Sequence, residues 1–256
     1  MNLLSARALT LRIGDRPICT GFDFTLSAGE HWALLGCNGI GKTTLLHTLA
    51  GLRHADGGSV QVDGIDLRAW RRKALARVLG ILFQDSQDSF PCTVLDASLS
   101  GRHPHLPFWR VEGEAEFQLA EQALAAVELS EAGRRQVDTL SGGERRRLAI
   151  ATLLVQDPVI WLLDEPANHL DMRHQVGMLA LIVARVRKRN GALLMALHDV
   201  NMALRCCTHA ALMVDEATLI CGPVADVVNV GNLERMYQCP VRRIATGEGR
   251  KFYYPE

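Results

Sequence analysis

Residues 36–44 read Gly-Cys-Asn-Gly-Ile-Gly-Lys-Thr-Thr and fit the pattern G-x-x-x-x-G-K-[ST]. A predicted buried strand, 31–35, with the apolar run 32–35, precedes them, and a helical pattern, 42–49, follows. Glycines let the backbone wrap around a phosphate, so that several N–H groups and the helix N-terminus point at the anion. The stretch therefore predicts a strand–loop–helix unit of an α/β fold that binds the phosphates of a nucleotide.

The polar side chains of this loop have distinct expected roles. Lys42 can reach the β- and γ-phosphates, and the Thr43 hydroxyl can ligate Mg²⁺. The alternative is a glycine-rich turn with an unrelated lysine, and the strand–loop–helix setting argues against it. We therefore predict ATP and Mg²⁺ as ligands. The expected ATP-binding residues are Gly36, Asn38, Gly39, Gly41, Lys42, Thr43 and Thr44.

A second polar cluster follows the apolar run Val-Ile-Trp-Leu-Leu at 159–163. Asp164 and Glu165 come directly after it, at the carboxyl end where doubly wound sheets place their ligands. Asp164 would hold Mg²⁺, and Glu165 could orient and deprotonate the attacking water. An acidic pair after a strand is usually a turn or a helix cap. Here the acidic pair follows Lys42 of the phosphate-binding loop (the P-loop) by about 120 residues, and the metal-site interpretation is therefore preferred.

A third motif, Leu-Ser-Gly-Gly-Glu at 140–144, precedes a basic amphipathic helical pattern from 145 to 155. Ser-Gly-Gly is a second helix N-terminus shaped for an anion. One nucleotide needs only one P-loop, so this end should serve a nucleotide held by another copy. This helix is a poor candidate for a nucleic-acid site, because it carries only a few basic residues in a protein with no net charge.

Together these motifs resemble those of the ATP-binding subunits of ABC transporters, in the order of that family and over nearly the whole chain. Residues 36–44 match Walker A, 140–144 match the LSGGE signature, and 164–165 close Walker B. Three further matches are Gln84 at the Q-loop, Asn168-His-Leu-Asp171 at the D-loop and His198 as the switch histidine.

The resemblance implies a mechanism in which two copies of the chain act together. Two copies close head to tail over two ATP molecules, each held between one P-loop and the other copy's Ser141, Gly142 and Gly143. The implied catalytic residues are Glu165 as general base, His198 at the γ-phosphate and the water, and Lys42 at the phosphates. The implied Mg²⁺ ligands are Thr43, Gln84 and Asp164. Catalysis is then mostly positioning and charge stabilisation.

Within the family, three segments are typical of ATPases that serve importers of cobalamin, ferric siderophores or haem. They are 164–171 with Asp-Glu-Pro-x-Asn-His-Leu-Asp, 198–201 with His-Asp-Val-Asn, and 101–105 with Gly-Arg-His-Pro-His. The implied partners are a permease dimer in the membrane and, indirectly, a periplasmic or surface substrate-binding protein. The expected location is the cytoplasmic face of the inner (cell) membrane. The chain departs from the family at Ile13, where an aromatic residue usually stacks on adenine, and at Ala167, where Thr is often seen.

The fold class we predict is α/β, a P-loop NTPase with a mainly parallel sheet core, an antiparallel β edge and a helical subdomain insertion. Short apolar runs alternate with helical patterns, and 85–139 is mostly helical. We expect one ABC ATPase domain over 1–256, with the core from 1–84 and 140–256 and the subdomain from 85–139. Early strands are expected at 3–13 and 22–27, with 14–17 as the turn between them. The tail after Ala225 is expected to form helices and one closing strand.

Composition limits the alternatives. The formal net charge of +0 offers no basic field, so we expect no nucleic-acid partner. Seven scattered cysteines form no CxxC pair and fit reduced cytosolic thiols. No apolar stretch approaches the roughly 20 residues that span a bilayer, and we see no secretory signal. A cytosolic chain that docks on a membrane protein is expected.

Three rival functions stay open at this point. A soluble ABC-type ATPase could act on nucleic acid or ribosomes, but the DNA-repair kind needs a long coiled coil, and 85–139 is too short for one. An exporter ATPase would differ only in its partner. A monomeric P-loop kinase would explain Walker A and Walker B but would leave the LSGGE motif without a use.

Overall fold

The computed structural model describes residues 1–84, 91–107, 112–215, 217–245 and 251–256. Two compact units are present, the first unit (Met1–Ala69 with Ala192–Glu256) and the second unit (Trp70–Gly191). In chain order, the strands are β1 (Asn2–Ile13), β2 (Arg16–Ser27), β3 (His31–Gly36), β4 (Gly57–Val62), β5 (Ile65–Asp66), β6 (Leu79–Leu82), β7 (Ile160–Asp164), β8 (Ala192–Ala196), β9 (His209–Met213), β10 (Leu219–Pro223), β11 (Val241–Ala245) and β12 (Lys251–Pro255). The helices are α1 (Lys42–Leu49), α2 (Arg72–Val78), α3 (Val94–Leu99), α4 (Glu114–Ala126), α5 (Gly142–Gln156), α6 (Met172–Lys188), α7 (Val200–Cys206), α8 (Val224–Val227) and α9 (Val230–Tyr237).

An antiparallel sheet in the order β2-β1-β4-β5 forms one part of the first unit. The long hairpin of β1 and β2 pairs from Asn2 with Ser27 to Ile13 with Arg16, with several register shifts. The strand β2 begins at Arg16, earlier than the predicted 22–27, because the turn takes only residues 14 and 15. Apart from this length, both predicted strands are present.

Parallel strands form the other part of the first unit. The strand β3 pairs in parallel with β8 on one side and with β9 on the other, and β10 adds to β9 in antiparallel orientation. Every residue of β3 is buried, which explains why residues 32–35 form a continuous apolar run. Because β3 ends at Gly36 and α1 begins at Lys42, the predicted strand–loop–helix unit is confirmed.

The end of the chain differs from the expected single closing strand. Helices α8 and α9 are followed by a hairpin of β11 and β12, paired from Val241 with Pro255 to Ala245 with Lys251. The side-chain amide of Asn201 on α7 forms two hydrogen bonds with the main chain of Tyr253, each 2.9 Å long. These bonds hold β12 against α7.

The second unit combines a parallel strand pair with helices. The strands β6 and β7 pair in register from Leu79 with Ile160 to Leu82 with Leu163. Helix α5 packs against α3 and α4, and its buried face carries Ile150, Leu153 and Leu154. The predicted subdomain at 85–139 contains α3 and α4, whereas residues 85–90 and 108–111 lie outside the described ranges. The domain boundaries stay a prediction.

No helix in the described ranges is both long enough and apolar enough to cross a bilayer.

Candidate nucleotide-hydrolysis site

The phosphate-binding loop of the first unit is organised by Lys42. Its side chain is buried, and its ammonium group donates hydrogen bonds to the carbonyls of Gly36, at 2.8 Å, and of Cys37, at 3.1 Å. A guanidinium nitrogen of Arg16 donates to the carbonyl of Gly39 at 3.2 Å. Since main-chain carbonyls hold the lysine at the start of α1, its charge is fixed next to the loop.

The N-terminus of α1 is suited to an anion. Gly41 caps it with φ of 116°, no side chain accepts a hydrogen bond from its first N–H groups, and its first turn has no acidic residue. By contrast, Ser141 caps α5 and Asp171 caps α6 with side-chain oxygens. N–H donors without a side-chain cap, next to a buried lysine, are the donor set that a polyphosphate requires, so the residues present fit a nucleotide.

The predicted switch histidine also belongs to the first unit. His198 is exposed and lies between β8 and α7, whose N-cap is Asp199. The His198 carbonyl accepts a hydrogen bond from the hydroxyl of Tyr237 at 3.2 Å. The loop that carries the histidine is therefore held by α9.

In the second unit, the two predicted carboxylates lie at the end of β7. Asp164 is fully buried and Glu165 is 8% exposed. One carboxylate oxygen of Glu165 accepts hydrogen bonds from the side-chain amides of Gln84, at 3.3 Å, and of Asn168, at 3.0 Å. The tertiary structure thus brings Gln84 and Glu165 together, 81 residues apart in the chain. An oriented carboxylate of this kind is what a general base needs.

A buried arginine lies beneath this cluster. Arg146, on α5, is 5% exposed, and its guanidinium donates to main-chain carbonyls of two segments. The acceptors on one side are Phe83 and Gln84, and those on the other are Asp164, Glu165 and Pro166. Arg146 therefore joins the segment of Gln84 to the end of β7. We did not predict this role, although Arg146 lies four residues before the buried Ile150, on the apolar face of the helix.

The signature segment forms a capping box at the start of α5. The Ser141 hydroxyl accepts from the Glu144 N–H at 3.2 Å, and the Glu144 carboxylate accepts from the Ser141 N–H at 2.8 Å. The Ser141 N–H and then the guanidinium of Arg135 lower the pKa of Glu144 from 4.5 to about 2. The carboxylate of Glu144 thus stays charged at the helix N-terminus.

The remaining site residues divide between the two units. Gly36, Asn38, Gly39, Gly41, Lys42, Thr43, Thr44 and His198 belong to the first unit, and Gln84, Ser141, Gly142, Gly143, Asp164 and Glu165 belong to the second. Their roles toward a nucleotide stay predictions. Arg146 and Tyr237 were not assigned to the site from the sequence, and Asn168 was matched only to the D-loop, without a role of its own.

Comparison with known proteins decides the family. A family model described as "ABC transporter" matches residues 19–168, which is more than half of the chain. The chain belongs to the ABC transporter family. As an ATP-binding subunit of that family, it binds ATP and hydrolyses it to power transport.

Curated relatives resemble this ABC ATPase over nearly its whole length. The ferric enterobactin transport ATP-binding protein FepC of Escherichia coli is 35% identical over 237 residues, covering 91% of this chain and 86% of the relative. The hemin import ATP-binding protein HmuV of Bordetella parapertussis is 36% identical over 242 residues, covering 91% of each. The petrobactin import ATP-binding protein FpuD of Bacillus anthracis is 34% identical over 226 residues, covering 88% and 83%.

Solved structures confirm the predicted fold of the ABC ATPase. A chain of an ABC transporter in an inward-facing conformation matches with a TM-score of 0.86 and 24% identity, covering 100% of this chain and 98% of that one. A nucleotide-free ATP-binding cassette matches with a TM-score of 0.73 and 20% identity, covering 94% and 96%. The α/β class with parallel strands and an antiparallel sheet is therefore the fold of this family.

Proposed function

We propose that this ABC ATPase energises the import of a ferric siderophore or haem through a partner membrane permease. The observation that carries the choice of substrate class is the set of relatives at 34–36% identity. FepC, FpuD and HmuV are named for transport of ferric enterobactin, petrobactin and hemin. Cobalamin, which the sequence motifs also allowed, is not named among these relatives, so iron chelates become the leading substrates.

The hydrolysis step that we infer uses residues whose placement suits it. Lys42 and the uncapped N-terminus of α1 would hold the phosphates, since both offer donors next to the loop. Glu165 would take a proton from the attacking water, and the amides of Gln84 and Asn168 orient its carboxylate. His198 would donate to the γ-phosphate as charge develops there.

Magnesium is proposed as the metal that accompanies ATP. Thr43, Gln84 and Asp164 would hold it, and their hydroxyl, amide and carboxylate oxygens are ligands that Mg²⁺ prefers. The described ranges hold no group of three or more His, Cys, Asp or Glu side chains arranged for a metal. That fits an ion bound mainly through the phosphates of its nucleotide, with only one or two protein carboxylates. When bound, Mg²⁺ neutralises charge on the phosphates.

A second copy of the chain would complete each nucleotide site in this scheme. Ser141, Gly142 and Gly143 of one copy would contact the ATP held by the other. Ser141→Arg should then abolish hydrolysis and leave ATP binding intact, whereas Ser130→Arg, an equal change at an exposed serine, should alter neither. Hydrolysis by Ser141→Arg at the wild-type rate would rule out the shared site.

The proposed setting is the cytoplasmic face of the membrane. A permease dimer would recruit the ATPase, and a periplasmic or surface binding protein would deliver the substrate. An exporter partner is less supported, since the relatives above are named for import or for transport of an iron chelate. The net charge of +0 likewise favours no nucleic-acid partner.

Uptake in cells tests the proposal. A strain whose own copy is deleted is complemented with the wild type, with Lys42→Ala or with Lys188→Ala, an exposed lysine of α6 that serves as the control. Iron-labelled siderophore, labelled haem and labelled cobalamin are offered separately. We expect the wild type and Lys188→Ala to restore uptake of an iron chelate and Lys42→Ala to restore none.

Each other outcome has a defined meaning. Restored uptake of cobalamin alone would replace the iron-chelate assignment with the other importer class. Equal uptake in all strains, measured with no second transporter present, would contradict the import function. Co-purification of the chain with ribosomes or nucleic acid, in place of a permease, would support the soluble alternative.

A further inference from the structure

The last turn of α9 contacts two loops that the proposed function places at the phosphates of ATP. The thiol of Cys37, in the phosphate-binding loop, donates a hydrogen bond to the Met236 carbonyl at 3.0 Å. The hydroxyl of the next residue, Tyr237, donates to the His198 carbonyl at 3.2 Å. Two consecutive residues of one helix therefore contact loops that lie 199 and 39 residues away in the chain.

Helix α9 is itself held firmly within the first unit. Leu233 and Met236 are almost completely buried, with exposed fractions of 0% and 1%. The Asn229 side chain caps the N-terminus of the helix, and the Glu234 carboxylate accepts a hydrogen bond from the Val241 N–H at 3.2 Å. Because its buried face and these two hydrogen bonds anchor the helix, its last turn can act as a fixed support for the loops.

The hydroxyl of Tyr237 is suited to a permanent role as a donor. Burial, aided by the nearby Asp199, raises the pKa of Tyr237 to about 12, so the phenol stays protonated at any physiological pH. Its ring lines a cavity of about 320 Å³ together with Val200, Leu233 and Tyr253. A phenylalanine in this position keeps the ring packing and removes only the hydrogen bond to the His198 loop.

We propose that Tyr237 is a positioning residue for ATP hydrolysis, which holds the His198 loop in register with the phosphate-binding loop through the last turn of α9. This inference rests on the proposed function, because it acts through His198. His198 is exposed and lies between β8 and α7. A restraint on its carbonyl limits where the imidazole can lie, and a displacement of about 1 Å at a reacting group can cost about a hundredfold in rate.

The test compares two tyrosine hydroxyls of the same region. Tyr237→Phe removes the bond to the His198 loop. Tyr253→Phe is the matched control, since its hydroxyl also donates to a main-chain carbonyl, that of Val228 at 2.9 Å, which belongs to neither loop. We expect Tyr237→Phe to lower kcat about five- to tenfold with the KM for ATP unchanged, and Tyr253→Phe to keep the wild-type kcat. Thermal unfolding should shift by similar small amounts in both.

A second comparison separates positioning from general loss of structure. In a His198→Gln background, measured by single turnover with labelled ATP, Tyr237→Phe should cause no further loss, because its effect passes through the histidine. A wild-type kcat in Tyr237→Phe would overturn the inference. If Tyr237→Phe lowered the rate in the His198→Gln background by the same factor as in the wild type, the inference would be overturned as well.

Failure of this inference is distinguishable from failure of the proposed hydrolysis mechanism. Glu165→Gln tests that mechanism without touching α9. Normal hydrolysis by Glu165→Gln would overturn the proposed role of Glu165, whatever Tyr237→Phe does. Slow hydrolysis by Glu165→Gln together with a wild-type rate in Tyr237→Phe would overturn the role of Tyr237 alone.

Discussion

The guanidinium of Arg146 donates a hydrogen bond to the main-chain carbonyl of Glu165 at 2.6 Å. Glu165 has a φ of 50°, in the left-handed region that costs a non-glycine residue about 1–2 kcal/mol. Such a conformation persists only when its surroundings enforce it. The buried arginine helps to enforce this conformation, so the proposed general base depends on a side chain of α5.

Replacement of Arg146 should therefore impair hydrolysis more than nucleotide binding. Arg146→Lys keeps the charge but loses the planar fork that reaches the carbonyls of both segments. We expect kcat to fall about ten- to a hundredfold, because the Glu165 main chain is released, while ATP affinity changes little. Steady-state hydrolysis and nucleotide titration measure the two effects.

The neighbouring arginine provides the control for this prediction. Arg147 donates to the carbonyls of Val127 and Glu128, each at 2.9 Å, at the end of α4. Arg147→Lys should keep kcat near that of the wild type. Equal losses in Arg146→Lys and Arg147→Lys would show that the effect is one of helix packing.

Glu165→Gln should bind ATP but hydrolyse it at least about a hundredfold more slowly, because an amide cannot accept the proton from water. The nucleotide then persists, and two copies should stay closed over it as a dimer visible by gel filtration. Glu131→Gln, a change at an exposed glutamate of the second unit, should leave both properties unaltered. A monomeric, fully active Glu165→Gln would contradict both the base and the dimer.

Glu144 should make the stability of the protein depend on acid pH. Its folded-state pKa, about 2, lies below the ordinary value of 4.5, so it stabilises the fold fully above pH 4.5. That contribution is lost as pH falls from 4.5 toward 2. The difference in Tm between the wild type and Glu144→Gln should therefore shrink over this range, and a difference that stays constant would contradict the prediction. Calorimetry at several pH values provides the measurement.

Alanine at Gly41 should be far more harmful than alanine at Gly39. A Cβ on Gly41 would lie 2.6 Å from the Ile18 side chain, and its φ is +116°. A Cβ on Gly39, with φ of +73°, would meet no atom within 4 Å. We expect a loss of roughly 2–4 kcal/mol in unfolding free energy for Gly41→Ala and about 1–2 for Gly39→Ala. Urea unfolding of both variants tests this order, and equal losses would contradict it.

Much of the fold could be predicted because its signals are local. The buried strand β3, the loop after it and helix α1 appear in the sequence as an apolar run, a glycine pattern and a helical period. The capping box of Ser141 and Glu144 likewise follows from residues three positions apart. The extended β2 and the two-stranded end of the chain were missed in part, because strand ends depend on which neighbour pairs with them.

The motifs of the candidate site could be predicted from the sequence, but the residues that hold them in place could not. Glu165 and Gln84 were assigned from their place in the series of motifs, while their hydrogen bond joins residues 81 positions apart. Arg146 looked like one of three similar arginines on a basic helix. Its contact with Phe83 crosses 63 residues, and only packing reveals which arginine is turned inward.

The sequence by itself determined the family motifs, the order of strands and helices around them, and the chemistry of the phosphate-binding loop, because those depend on neighbouring residues and on backbone geometry. Tertiary structure alone decided that Arg146 bonds to the main-chain carbonyl of Glu165 and that Tyr237 bonds to that of His198. Contacts of that kind depend on how distant segments pack, and a side chain's type does not reveal which main-chain carbonyl it will meet.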